Sequence, residues 1–313
     1  MDTATLAKAV FPGAEWKVEA PEAHGLSTEK LNAAAEEVRK IEKRWGFLVV
    51  KDGVIVHETY WGGDKDKKGK VFSVTKGFGA SLIGIAQTQG KLSVNEKVSD
   101  WLPIHHPDIK KGATIAHVLS MTAGGDPEKD TFAYTSGPIL NTLPNILQLA
   151  TGRTPAEFYD NELAKPLGLT CDWPRTAKGW MQIGNQGPMP VLESTHRDLA
   201  RLGLLWLHRG NWNGQQIIAS DFVDEALKAH FSHNKSYGYL WWINGPSGEK
   251  GADGKRALRI PTAPANVYQA LGARGKIIFN VPDHNMVVVT LGETPSETTP
   301  TQDLWKALAK VLG

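Results

Sequence analysis

In the stretch VFSVTK, Ser73 stands three residues ahead of Lys76. Residues at i and i+3 share one face of a helix, so a hydroxyl and an amine at this spacing can reach one another. Near a helix N-terminus the positive end of the dipole favours a developing alkoxide and disfavours an ammonium. Desolvation lowers the lysine pKa further. Those are the conditions that a serine nucleophile and a basic lysine need. The pair alone carries little weight, because about one S-x-x-K arises by chance in a chain of this length. Its plain alternative is a solvated lysine beside a helix-capping serine.

The elements that would position this pair follow from local patterning. STEKLNAAAEEVRKIEKR places Leu31, Ala34, Ala35, Val38 and Ile41 at helical spacing behind a Ser27 cap. GFLVVKDGVIVHETYW gives two β-rich runs around Asp52-Gly53, a strong hairpin signal. VFSVTKGFGASLIGIAQTQGKL predicts a helix with Phe78, Leu82 and Ile85 on one side and Gly90 as its stop. From about residue 92 to 230, short helical patterns are broken by Pro and Gly. Strands return in YGYLWWIN, NVYQALGA, KIIFNV and MVVVTL, with PDHN turning between the last two. TQDLWKALAKVLG closes the chain as a helix with Leu304, Leu308 and Val311 on one side.

Two end segments of similar pattern around a helical middle predict an α+β fold. One antiparallel sheet would be built from both chain ends, flanked by N- and C-terminal helices, with a mostly helical insertion. The expected division is a discontinuous sheet domain, 1–72 and 231–313, and a helical domain, 73–230. VFSVTK falls at the seam, and seams between domains are favoured places for ligand clefts.

Composition narrows the function classes. Across 313 residues, 41% hydrophobic and 22% charged content is that of a soluble globular protein. A net charge of +2 gives no electrostatic signature of nucleic acid or an anionic membrane, and nothing fixes the oligomeric state. Cys171 is the only cysteine, which excludes an internal disulfide and a cysteine-based zinc cluster. No run approaches the roughly eighteen apolar residues of a membrane span. The N-terminal MDTATLAKAVFPGAEW lacks the apolar core of a signal peptide. The chain reads as cytoplasmic as it stands, or as periplasmic or secreted if a presequence was removed.

Further stretches give the serine and lysine a context. Downstream of VFSVTKGFGASLIGIAQTQGKLSVNEKVSDWLP come ATIAHVLSMTAGG, FAYTS and LATGRTPAEFYDNELAKPLGL. LESTHRDLARLGLLWLHRGNWNGQQII, YGYLWWIN and YQALGARGKIIFNVPDHNMVVV follow. In this order they resemble the serine β-lactamase-fold superfamily, specifically its class C β-lactamase-like branch. That branch includes family VIII esterases, D-amino-acid peptidases and 6-aminohexanoate-oligomer hydrolases. The likeness covers roughly residues 22 to 313.

The resemblance implies that Ser73 is the acylated serine and Lys76 its partner. Tyr134 in FAYTS resembles the tyrosine of the family's Y-x-N element, able to shuttle a proton if the adjacent lysine charge keeps its pKa low. Ser136 stands where the family often has Asn, which weakens hydrogen bonding to an amide side chain of a β-lactam. The K-T-G or H-x-G element is matched by Ala270-Leu271-Gly272, followed by Ala273. Gly272 would let the strand edge approach substrate, and the N–H groups of Ser73 and Ala273 would form the oxyanion hole. The missing Lys and Thr remove the usual carboxylate-binding pair, and Arg274 either replaces that charge or is simply solvated. Among the eleven tryptophans, Trp61, Trp241 or Trp242 could wall an apolar cleft, with a core position as the alternative. Trp241 is counted with Ser136, Gly272 and Arg274 as substrate-binding.

The function so implied is a serine hydrolase of ester or amide bonds acting on a small molecule, with no cofactor and no metal. Alternatives are a β-lactamase or D-Ala-D-Ala peptidase, and a non-catalytic penicillin-binding-like sensor. Other chemistries are weakly supported. His105-His106 are adjacent in a loop and poorly placed to share a metal, His57-Glu58 lacks a second His, and GADGK and GARGK fall short of a P-loop. No G-x-S-x-G elbow occurs.

Overall fold

The computed structural model describes residues 10–124, 132, 134, 137–184, 187–230, 235–250, 256–295 and 300–313. Helix α1 (Thr28–Lys40) begins where Ser27 accepts the Lys30 N–H at 3.3 Å, and it buries Leu31, Ala34, Ala35 and Val38. Ile41 is the residue that ends the helix. Strands β1 (Arg44–Lys51) and β2 (Val54–Tyr60) form the expected hairpin. Asp52 and Gly53 both have positive φ, 54° and 85°, as a tight turn matched to strand twist demands.

Helix α2 (Thr75–Thr88) follows, and α3 (His196–Leu207) is the long helix near the end of the helical stretch. Strands β3 (Trp242–Ile243), β4 (Tyr268–Gly272), β5 (Lys276–Val281) and β6 (Met286–Gly292) return to the sheet, and α4 (Thr301–Leu312) closes the chain. The six-stranded sheet has the order β2-β1-β6-β5-β4-β3, and the pairing is antiparallel throughout. Because β1 pairs with β6, the two ends of the chain share one sheet.

The alternation of strand side chains sorts residues between two cores. Phe47, Val49, Phe279 and Val288 face the layer of α1 and α4, whereas Leu48, Val50, Ile278 and Val289 face the helical side, where α3 lies. With both faces covered, β5 and β6 are buried at every position. The α+β architecture is the one expected. The local difference is α2, which is buried all round from Thr75 to Ala86 rather than on the side of Phe78, Leu82 and Ile85 alone. It runs through the interior of the molecule, so its polar residues Thr75, Lys76 and Ser81 are interior too.

Candidate active site

Phe72–Val74 form a single 3₁₀ turn that passes directly into α2 at Thr75. Ser73 therefore lies in the 3₁₀ turn and Lys76 in the first α turn. With three residues per turn, i and i+3 eclipse, which aligns the pair more closely than α geometry would. The Lys76 amine donates to Ser73 Oγ at 2.8 Å. Lys76 is only 1% exposed, and burial pushes its pKa down from 10.5 to about 7. A buried amine in this state is a competent proton acceptor near neutrality.

Phe72, immediately ahead of the serine, has φ of 47°, a left-handed conformation that bulky residues seldom adopt. Such backbone persists where its surroundings hold it. Lys276 Nζ lies 4.9 Å from the Phe72 ring centroid, and the Arg274 guanidinium 6.0 Å. Lys276 has no exposed side-chain surface and pairs with Glu293 at 2.7 Å.

Tyr134 completes the cluster. Its phenol hydrogen-bonds with Ser73, and Lys76 Nζ stands 5.1 Å from its ring centroid. Burial raises the phenol pKa, and the Ser73 hydrogen bond and the Arg259 charge offset this only in part. This differs from the expectation that a lysine charge would hold the phenol pKa low. The nearby amine has itself lost much of its charge to desolvation, so Tyr134 is a neutral donor at ordinary pH.

An aromatic wall continues from Tyr134. Trp242 stacks on it at 5.5 Å with 27° between the planes, and Tyr237 meets it edge-on at 5.9 Å. Trp241 is a correction: it is 0% exposed and packs between Trp206 and Tyr268 at 4.9 and 5.5 Å. Neighbouring residues of an extended segment point to opposite sides, so facing Trp242 toward Tyr134 sends Trp241 into the core. It cannot bind substrate. Trp61 packs with the cluster on the α1 and α4 side of the sheet.

Gly272 is required by the packing itself. A Cβ there would overlap the carbonyl oxygen of Val71 and stand 3.1 Å from Lys276 Cβ. The glycine is demanded by backbone meeting backbone: β4 lies against the residue two positions before Ser73. That approach draws half-buried Ala273 toward the serine turn. Arg274 is 55% exposed and pairs with Glu293 at 3.2 Å, so its charge is already answered. Ser136 lies outside the described residues.

His105 Nδ1 hydrogen-bonds the Leu102 carbonyl at 2.9 Å. No group of three or more metal-ligating side chains occurs among the described residues, and no described helix is long and apolar enough to cross a membrane. Sequence reasoning did not single out Arg259, Lys276 or Tyr237. Each reaches the site through pairing across the sheet or loop packing.

A family model described as Beta-lactamase matches residues 38–313. A protein of Alkalihalophilus pseudofirmus is 24% identical, the match covering 77% of this chain and 81% of the relative. Among solved structures, a Bacillus anthracis protein assigned as a 6-aminohexanoate-dimer hydrolase superposes with TM-score 0.70 at 16% identity, covering 97% of this chain and 87% of that one. EstCE1, a hydrolase with promiscuous acyltransferase activity, gives 0.68 at 14% identity, over 94% and 99% of the chains. A penicillin-binding protein homolog from Caulobacter crescentus gives 0.66 at 18% identity, over 91% and 98%. At these identities the structural likeness is one of fold.

Proposed function

Because the chain belongs to the Beta-lactamase family, a fold family of serine hydrolases, we propose that it hydrolyses ester or amide bonds through an acyl-enzyme on Ser73. The observation that carries this reading is a buried amine with a pKa near 7, placed 2.8 Å from a hydroxyl that a tyrosine also contacts.

Neutral Lys76 takes the Ser73 proton as Oγ attacks the substrate carbonyl carbon. The N–H groups of Ser73 and Ala273 hold the resulting oxyanion. Collapse re-forms the carbonyl and breaks the bond to the leaving group, which takes a proton from the Tyr134 phenol. The Lys76 ammonium restores that phenolic proton. Water then attacks the acyl carbon, giving its proton back through the same groups, and releases the acid with Ser73 regenerated.

Labelling with a fluorophosphonate followed by mass spectrometry tests the proposal. Modification of Ser73 supports it, whereas an unlabelled protein without hydrolysis favours a sensor that only keeps the fold. The absence of a Lys and a hydroxyl in Ala270-Leu271-Gly272 argues for esters or amides over β-lactams. Rapid turnover of a chromogenic cephalosporin beside an inert short-chain p-nitrophenyl ester would reverse that preference.

The rate should depend on pH in a set direction. Lys76 is basic only when unprotonated, so kcat/KM should climb with pH through about 7. Tyr134, with its pKa raised, keeps its proton across this range. A profile flat between roughly pH 5 and 9 would remove Lys76 as the base.

A further inference from the structure

The two N–H groups assigned to the oxyanion come from distant parts of the chain, at Ser73 and Ala273. Donors of this kind help only when they are held in place before charge develops. The Ser73 N–H belongs to the peptide group after Phe72, whose φ of 47° is left-handed. The Ala273 N–H belongs to the peptide group after Gly272, where the chain turns from β4 into β5. In that turn Arg274 and Gly275 both have positive φ, 59° and 79°.

One buried cation reaches both places. Lys276 pairs with Gly272 across the β4–β5 hairpin, and its side chain has no exposed surface. Full burial is rare for a lysine and requires partners. The ammonium lies 4.9 Å from the Phe72 ring centroid, 5.4 Å from that of Trp45 and 2.7 Å from one oxygen of Glu293. The other Glu293 oxygen receives Arg274, the residue after Ala273, at 3.2 Å. Phe72 and Arg274, each the chain neighbour of a donor, are thus tied through one ammonium–carboxylate pair.

The frame around the pair is held from the sheet. Arg44, 5% exposed, donates to the carbonyls of Gly275 and Arg274 and to the Thr294 hydroxyl. The Thr294 N–H donates to the Arg274 carbonyl at 3.2 Å, and the Glu293 N–H to the Lys43 carbonyl at 3.0 Å. These bonds pin the hairpin turn to the ends of β1 and β6, but they do not reach the serine turn. Lys276 does. A buried ion pair is a poor source of stability, since apolar groups of like volume often serve as well. What it supplies is direction, fixing a carboxylate and two ring faces around one charge.

Resting on the hydrolase reading above, we propose that the Lys276–Glu293 pair positions the oxyanion hole, holding the Ser73 and Ala273 N–H groups at a set separation and angle. Lys276 has no surface with which to meet a substrate, so it is a positioning residue that acts through Phe72 and the hairpin turn.

The test compares p-nitrophenyl acetate with p-nitrophenyl thionoacetate, which differ only in C=O against C=S. Sulfur is the weaker hydrogen-bond acceptor, so the oxygen ester draws more from a well-formed hole. Lys276→Met should lower the oxygen-to-sulfur ratio of kcat/KM about 10- to 100-fold, less than outright removal of one donor. Glu293→Gln should lower it in the same direction, and with Glu293 31% exposed this variant tests the pair even where the interior change prevents folding. Both esters are measured on one sample, so partial unfolding cancels. Glu58→Gln, which removes the half-buried Glu58–Arg197 pair on β2, should leave the ratio alone. The midpoint of the pH profile should also stay near 7, because burial alone sets the Lys76 pKa. An unchanged ratio in Glu293→Gln or in folded Lys276→Met overturns the positioning role. So does an equal fall in Glu58→Gln, which would mean general loosening, or a moved pH midpoint with the ratio intact, which would place the effect on Lys76. A wild-type protein that takes no fluorophosphonate on Ser73 and cleaves neither ester overturns the hydrolase reading and this role together; a labelled Ser73 with an unchanged ratio overturns this role alone.

Discussion

Lys76→Met should abolish most turnover and at the same time make the protein more stable near neutral pH. The two effects have one origin. Lys76 is 1% exposed, and burial alone accounts for the fall in its pKa from 10.5 to about 7. Below about pH 7 the folded protein must hold a buried ammonium, a penalty that is fully present there. Between about 7 and 10.5 the unfolded chain binds a proton that the folded state lacks, so stability rises with pH across that window. At roughly 1.4 kcal/mol per unit, the penalty at neutral pH is of the order of a few kcal/mol. Methionine has similar length and no charge, so the variant should gain much of that amount and lose the pH slope. Turnover should drop by about 10²- to 10⁴-fold with the base gone. Urea unfolding at pH 7 and pH 10 reads the first effect, and ester hydrolysis the second. A Met variant less stable than wild type at both pH values, or one of full activity, would contradict the assignment.

Ser73→Ala should remove turnover altogether and leave the fold in place. Loss of an acylating serine lowers kcat by roughly 10⁴- to 10⁶-fold where residues act as one unit. Ser73 sits half-buried in a 3₁₀ turn that is held by backbone hydrogen bonding, so its hydroxyl does little for the architecture. A stability change within about 1–2 kcal/mol is expected, the range for one lost hydrogen bond. Thermal melting checks the fold, and fluorophosphonate labelling with mass spectrometry checks the chemistry. Retained labelling in the Ala variant would place the nucleophile elsewhere.

The readable parts of the chain were those with local causes. The Ser27 cap, the turn at Asp52-Gly53, the strands KIIFNV and MVVVTL, and the closing helix each depend on a few adjacent residues, and each occurs as patterned. YGYLWWIN was harder, since only Trp242 and Ile243 enter the sheet. Periodicity also misjudged α2: a helix crossing an interior has no solvent side, so a one-sided stripe was the wrong template. The candidate site was partly legible, through Ser73, Lys76 and Tyr134. Trp241 was misplaced because a pair of adjacent tryptophans does not announce which one faces inward.

Residue order alone fixed which groups are present: a hydroxyl and an amine three positions apart, a phenol further on, and a glycine ending a late strand. Those facts hold in any conformation, and local propensity was enough to put the first two on one turn. The state of those groups came from long-range contacts. Neutralising Lys76 requires an environment assembled around an enclosed helix, and bringing the Tyr134 phenol to Ser73 requires its ring to stack on Trp242. The use of Gly272 depends on a backbone two hundred residues away in sequence, roughly, pressing against it. Arg259 lies over Trp242 only because Asn244 binds its loop beside β3. Desolvation and close approach are properties of what surrounds a residue, and the surroundings are set by the packed fold.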